Sequence, residues 1–165
     1  MMAVVVMERN KMMCISCMEE HEVQTVSVLE HNVFKGVDVE YEAVYFYCDR
    51  TDEYYADEEM ISKNDIAMKN AYRRAKGLLT SDEIIAIRNE YGINQRDLCC
   101  ILKWGEKTIV RYEGHQVQDA AHDAILRKLR DNPEWFLSLL EAEEKNLSSN
   151  AYRASAGKPR TSVRG

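Results

Sequence analysis

The stretch Asn94-Gln95-Arg96-Asp97-Leu98-Cys99-Cys100-Ile101-Leu102-Lys103-Trp104-Gly105-Glu106-Lys107-Thr108-Ile109-Val110-Arg111-Tyr112-Glu113-Gly114 decides the fold of the second half of this chain. Asn94 is a helix N-cap residue, and a helical run follows it. Two short helices that cross steeply around a tight turn need a small residue at the crossing and apolar residues on either side of the turn. Cys99 is the small residue, and Leu98, Leu102, Trp104, Ile109 and Tyr112 are the apolar ones. The second helix is expected from about Glu106 to Tyr112, with Gly105 as its N-cap. This pattern predicts a helix-turn-helix. Glu106, Lys107, Val110 and Arg111 then fall on the solvent side of the second helix. Residues near the start of such a helix reach base edges in the DNA major groove. Arg bonds guanine through two donors, and Lys reads guanine or pairs with phosphate. Gln95 is placed for a phosphate or an adenine, and Thr108 for packing or a phosphate. The candidate DNA-binding residues are therefore Gln95, Glu106, Lys107, Thr108 and Arg111.

Further helices flank this unit. Thr80-Ser81-Asp82-Glu83 fits a capping box, in which a hydroxyl and a carboxylate satisfy free amides at a helix start. The helix after it directs Ile84, Ile85, Ile87 and Tyr91 towards a core, and Gly92 ends it. Helices are expected from Asp119 to Arg130 and from Glu134 to Asn146, with Pro133 at a favoured first position. Trp135, Phe136, Leu139 and Leu140 make an apolar face on the last one. Residues 148–165 are polar and basic and are expected to be a disordered tail, in which Arg153, Lys158, Arg160 and Arg164 add phosphate contacts.

The first half reads differently. Val23, Thr25, Val26 and Val28 open a β-rich run, and Asn32 to Gly36 carries turn chemistry. Val37, Val39, Tyr41, Ala43, Tyr45 and Tyr47 then alternate with polar residues. A β-hairpin with one apolar face is expected, and a short third strand around Glu53 to Ala56. Asp57 to Lys76 contains no Pro or Gly and reads as a joining helix stopped by Gly77.

Charge is divided in the same way. Residues 1–70 hold 6 Lys/Arg against 15 Asp/Glu, a net of -9; residues 71–165 hold 16 against 13, a net of +3. Phosphate would repel the first half and not the second. The acidic set Asp49, Asp52, Glu53, Asp57, Glu58 and Glu59 reads either as a face for a basic partner or as a solvated surface. No window approaches the run of about 20 apolar residues that a membrane helix requires. With no secretory signal at the start, a cytoplasmic protein is expected.

The cysteines are Cys14, Cys17, Cys48, Cys99 and Cys100. An odd count with one C-x-x-C pair fits metal binding in a reducing compartment better than a disulfide framework. Structural zinc takes four ligands, commonly from two C-x-x-C knuckles. Cys14-Ile15-Ser16-Cys17 is one knuckle. The second opens at Cys48 but has Thr51 where its other cysteine belongs. Three readings stand: Asp49, Asp52 or His21 supplies the fourth ligand, three thiolates and water hold zinc weakly, or the site is lost. Cys99 and Cys100 read as small buried hydrophobes. His115 and His122 read as capping or surface residues. No general base is placed beside an open zinc, so no enzyme is expected.

Gln95, Leu98, Cys99, Leu102, Thr108, Ile109, Arg111, Tyr112, Glu113 and Gly114 fall on the pattern of the Xre-type helix-turn-helix family, which this segment resembles. Lys103 replaces the usual turn glycine and Gly105 the usual serine. From residue 14 to about 130 the layout of C-x-x-C, β-rich segment, third cysteine, joining helix and Xre-type unit resembles the MqsA (YgiT-type) zinc-finger antitoxins. It also resembles the N-terminal half of antitoxins that carry a Panacea domain, a domain absent here. The resemblance implies a zinc domain that binds a protein toxin. It also implies a helical domain that forms a homodimer and binds operator double-stranded DNA, so that the antitoxin represses its own operon. By position, Lys107 and Arg111 match that family's DNA-contacting places.

The expected fold is α+β: a small zinc-ribbon-like β-hairpin domain (1–56), a linker helix (57–77), an all-α Xre-type helix-turn-helix and dimerisation domain (78–147), and the tail (148–165). The expected function is sequence-specific transcriptional repression by an antitoxin, with a protein-binding inhibitor or adaptor as the alternative. The candidate metal ligands are Cys14, Cys17 and Cys48, with zinc as the cofactor.

Overall fold

The computed structural model describes residues 3–147. The expected tail, with Arg153, Lys158, Arg160 and Arg164, lies outside the described residues. The chain is α+β and divides into two compact units, Met1–Lys76 and Gly77–Gly165. No helix among the described residues is long and apolar enough to cross a membrane.

The first unit is an antiparallel sheet with one helix. Strands β1 (Val4–Met13), β2 (Glu20–Phe34), β3 (Val37–Cys48) and β4 (Glu53–Tyr55) lie side by side in chain order. The expected hairpin is thus only the middle of a four-stranded sheet. Its strands run closer to the turn than Asn32 suggested: Phe34 pairs with Val37, leaving Lys35 and Gly36 as a two-residue connection. Both have positive φ, 48° and 76°. That twist suits tight hairpins, and glycine adopts it at no steric cost. Strand β1 breaks the sequence rule that a strand alternates. It is an edge strand, and Val4, Val5, Val6 and Met7 are all exposed, so no buried face imposes a period of two.

Val26, Val28, Val39 and Ala43 are buried in the sheet. Helix α1 (Glu58–Ala75) packs chiefly on β3 and also on β2. Asp57 caps it by accepting the Met60 amide at 2.8 Å, and Phe34 meets Tyr72 edge-on at 5.1 Å. Strand β4 pairs only with Phe46 to Cys48, which leaves the β3 edge uncovered at Val44. Asn64 of α1 fills the gap: its carboxamide accepts the Val44 N–H and donates to the Val44 carbonyl. Tyr41 and Tyr45 of β3 are half-buried and both donate to Glu30. Burial, reinforced by Glu30, pushes the Tyr45 hydroxyl well above its ordinary range.

The second unit is helical: α2 (Ser81–Tyr91), α3 (Gln95–Leu102), α4 (Thr108–Tyr112), α5 (Ala120–Asp131) and α6 (Pro133–Ala142). The capping box at Thr80 and Glu83 forms in both directions, and Gly92 closes α2 in the left-handed conformation. Ile84, Ile87, Leu98, Ile109, Leu126, Leu129, Phe136 and Leu140 are buried in one core. Phe136 stacks on Tyr91 at 3.8 Å, so the last helix completes this core through Phe136 and Leu140. Trp135 and Leu139 stay partly exposed beside it. Asp123 ties the start of the unit to α5. It accepts the Leu79 amide at 2.8 Å, the Gln118 amide nitrogen at 3.1 Å and Arg127 Nε at 2.7 Å.

Candidate functional site

Two places bring together the residues singled out by sequence. The first lies at one end of the sheet. Cys14 follows β1, Cys17 is in the turn to β2, His21 is the second residue of β2, and Cys48 is the last of β3. The antiparallel register carries them to the same level: His21 lies beside Met12 of β1, and Gln24 pairs with Tyr47 just before Cys48. The C-x-x-C segment turns tightly, with the Met18 amide on the Cys14 carbonyl at 2.9 Å and the Cys14 amide on the Glu19 carbonyl at 3.0 Å.

The ligand atoms of Cys14, Cys17, His21 and Cys48 all lie within 4.8 Å of one another, and Cys14, His21 and Cys48 are buried. Zinc bonds of about 2.0–2.3 Å in a tetrahedron imply ligand atoms roughly 3.5 Å apart. His21 Nε2 is 3.6 Å from Cys48 Sγ, close to that spacing. Three thiols and an imidazole are a common structural zinc set. Of the three candidates for the fourth ligand, His21 is the one in the group. Asp49 Oδ1 is 3.8 Å from the other ring nitrogen, Nδ1, and Asp52 instead accepts the Tyr47 hydroxyl at 2.7 Å. Thr51, where a second knuckle would place its cysteine, has its hydroxyl 2.6 Å from Ser16 Oγ, and Ser16 also donates to Glu53. Glu19 and Arg50 pair across the same two loops. Thr51 and Arg50 therefore bind the two loops to each other.

The electrostatics differ among the three thiols. Burial alone would raise the Cys14 thiol. The Cys17 amide, Tyr55, His21 and the Ser16 amide outweigh it and lower Cys14 to about 6. A Thr51 hydrogen bond leads the effects that lower Cys48. Burial raises Cys17, which has the other sulfurs for neighbours. The Cys14 interaction in turn raises His21. Three thiols and an imidazole gathered in one place are a donor set that a bound dication would draw into the thiolate form.

The second place is the pair α3 and α4. Cys99 is buried at the crossing, and its sulfur accepts the Ile109 amide at 3.4 Å. Helix α4 begins at Thr108, two residues later than expected, and Gly105 is not its cap. The Thr108 amide bonds the Gly105 carbonyl at 2.9 Å, making a turn over residues 105–108 that delays the helix, and Lys107 stands at the N-cap. Lys103 ends α3 at φ 57°, the left-handed conformation that glycine normally takes there. Lys107, Val110 and Arg111 are exposed on α4 and Thr108 is half-buried. Glu106 lies exposed in the turn, 3.9 Å from Arg96. Gln95 is half-buried, its Nε2 donating to Glu113 at 2.6 Å. The same carboxylate grips Arg88. Trp104 stacks on His122 at 4.1 Å, and the His122 Nδ1 meets the Tyr112 hydroxyl at 2.5 Å, so His122 has a packing role.

No family model matches this chain, and no curated protein matches it. At the cysteine cluster the sequence left His21 as one of three candidates for the fourth ligand, with nothing to separate them, and it did not single out Tyr55. Tyr55, packed against the cluster, gave no signal beyond belonging to a short strand.

Proposed function

We propose that this chain is a sequence-specific DNA-binding transcriptional repressor with a zinc-stabilised N-terminal unit, acting as the antitoxin of a type II toxin–antitoxin pair. The observation that carries the DNA reading is the exposed face of α4. Lys107, Val110 and Arg111 project to solvent, while Ile109 and Tyr112 of the same helix are buried. Arg111 pairs with guanine, Lys107 with guanine or phosphate, and Val110 with a thymine methyl. Glu106 accepts from a cytosine amine, and Thr108 reaches a phosphate. Glu113 fixes the Gln95 carboxamide, whose second amide proton is left for the DNA backbone. One recognition helix reads one half-site, so a palindromic operator calls for a homodimer. The antitoxin assignment rests on the family resemblance together with the Cys3His cluster.

The test is binding of the full chain to the DNA upstream of its own gene and to random duplex, across a salt series. Upstream DNA binds tighter, and affinity falls steeply with salt. Arg111→Ala costs roughly 1–3 kcal/mol and relaxes discrimination. Equal affinity for the two duplexes overturns the repressor reading. A second reading, a protein-binding inhibitor or adaptor with no specific DNA site, is favoured by the exposed Val4, Val5, Val6 and Met7 on the open edge of β1. Such an edge is a template for strand pairing. It gains if no duplex is bound while a basic protein stays associated when β1 is intact and dissociates in Val5→Lys.

A further inference from the structure

The two nitrogens of His21 are divided between two environments. Nε2 faces the sulfurs, 3.6 Å from Cys48 Sγ, and Nδ1 faces Asp49, 3.8 Å from Oδ1. Asp49 follows Cys48 directly, so the strand end that delivers a thiol also delivers this carboxylate. The adjacent cation does not claim it, because Arg50 pairs with Glu19. A ligating imidazole must be neutral at the metal-facing nitrogen, and its other nitrogen then carries a proton that needs an acceptor. Asp49 lies at ion-pair distance from that nitrogen, a few tenths of an ångström beyond a hydrogen bond.

A second feature points at the same cluster. Among the described residues, Tyr55 Oη is the buried side-chain oxygen or nitrogen that has no hydrogen-bond partner at ordinary geometry. Such a group costs free energy unless something accepts its proton. Tyr55 packs on the cysteine cluster, its ring 5.3 Å from Phe46. A metal-bound thiolate is a good acceptor, and the cluster that Tyr55 packs against would present such sulfurs to its hydroxyl with a metal bound.

We propose that Asp49 and Tyr55 are positioning residues for a divalent metal held by Cys14, Cys17, His21 and Cys48: Asp49 accepts the Nδ1 proton of His21, and Tyr55 donates to a sulfur of the cluster. This rests on the metal reading of the cluster. Asp49 fixes the ring so that Nε2 points inward, which replaces the rigidity a second C-x-x-C knuckle would have supplied. Tyr55 withdraws charge from one thiolate and so offsets the repulsion among three sulfurs around one dication.

The test is cobalt titration of the full-length metal-free protein, followed by displacement with zinc. The wild type takes up one cobalt per chain, with the visible absorption of a tetrahedral site and a thiolate charge-transfer band. Asp49→Ala and Tyr55→Phe keep that stoichiometry and geometry, and each weakens zinc roughly 10- to 100-fold. Tyr55→Phe also moves the charge-transfer band to lower energy, because the sulfur loses its hydrogen bond. In a His21→Cys background, Asp49→Ala has no further effect, since there is no ring to orient. Far-UV circular dichroism of the metal-free variants matches the wild type, which separates positioning from folding. A wild type that takes up no cobalt overturns the metal reading and this proposal with it. A wild type that binds, with both variants equally tight, overturns the positioning roles alone.

Discussion

The guanidinium of Arg88 meets the carboxylate of Glu113 at two points, Nε to Oε1 at 2.6 Å and Nη2 to Oε2 at 3.2 Å. Arg88 belongs to α2 and Glu113 caps the end of α4, so the pair joins helices that are not neighbours in the chain. Arg88 also donates to the Ile93 carbonyl, and Glu113 also accepts from Gln95 of α3. Three helices are thus held through one carboxylate whose side chain is only 6% exposed.

Removing one member of a buried pair strands the other without a partner. Glu113→Ala should destabilise the second unit by about 3 kcal/mol in chemical denaturation, and Glu113→Gln by less, because an amide oxygen still accepts from Arg88. Both tryptophans, Trp104 and Trp135, lie in this unit, so tryptophan fluorescence reports it selectively. An unchanged midpoint in Glu113→Ala would show that the pair contributes no net stability.

Lys103 occupies a left-handed conformation at the end of α3, and its side chain is exposed. A β-carbon there costs about 1–2 kcal/mol, while glycine carries an entropic penalty of roughly 0.4–1 kcal/mol through the unfolded chain. Lys103→Gly is therefore expected to stabilise the unit by about 0.5–1 kcal/mol, measured as an upward shift of its unfolding midpoint. The loss of the 3.5 Å contact with Glu143 offsets little, because the lysine is solvated.

Asp123 sets a pH dependence. Burial pushes its carboxyl up, but the Arg127 hydrogen bond, with the Leu79 amide and Gln118, overrides that and holds it below the usual carboxylate range. The folded state then releases this proton more readily than the unfolded chain does. Its stabilisation is complete above the unfolded value, about 4, and is lost as pH falls through the lower folded value. Asp123→Asn should cost about 2 kcal/mol near neutral pH, and the gap to wild type should close in acid. A gap that stayed constant down to about pH 2–3 would rule out this linkage.

Metal removal should act on one unit. A ligand that binds only the folded form adds about 3 kcal/mol at a hundredfold excess over its Kd. With zinc bound at the Cys14, Cys17, His21 and Cys48 cluster, a chelator is expected to lower the unfolding temperature of the sheet, followed by its tyrosine signal. The tryptophan transition of the second unit should stay in place. The same unfolding temperature for the sheet before and after chelation would exclude a stabilising metal.

The legibility of these features in the sequence follows the range of the interactions. The Thr80–Glu83 box, the Asn94 cap and the Gly92 stop each involve residues three or four apart, and all form as their residue types imply. The start of α4 did not, because Lys103 takes a glycine conformation and the turn over 105–108 delays the helix. Strand β1 was hidden because its exposed edge imposes no alternation. At the cluster, the Cys14–Cys17 knuckle was plain from spacing, whereas the partner at Cys48 lies 31 residues further on.

The sequence by itself determined the two short helices within Asn94 to Gly114, the close pair Cys14 and Cys17, and the division into an acidic β-rich half and a helical half. Each of these depends on residue type and short spacing. Only the tertiary structure decided that His21, and not Asp49 or Asp52, joins the three cysteines. It also decided that Glu113 is drawn inward to Arg88 and Gln95 while Lys107 and Arg111 stay exposed. The reason is physical: strand register and helix crossing bring together residues distant in the chain, and no local pattern encodes that register.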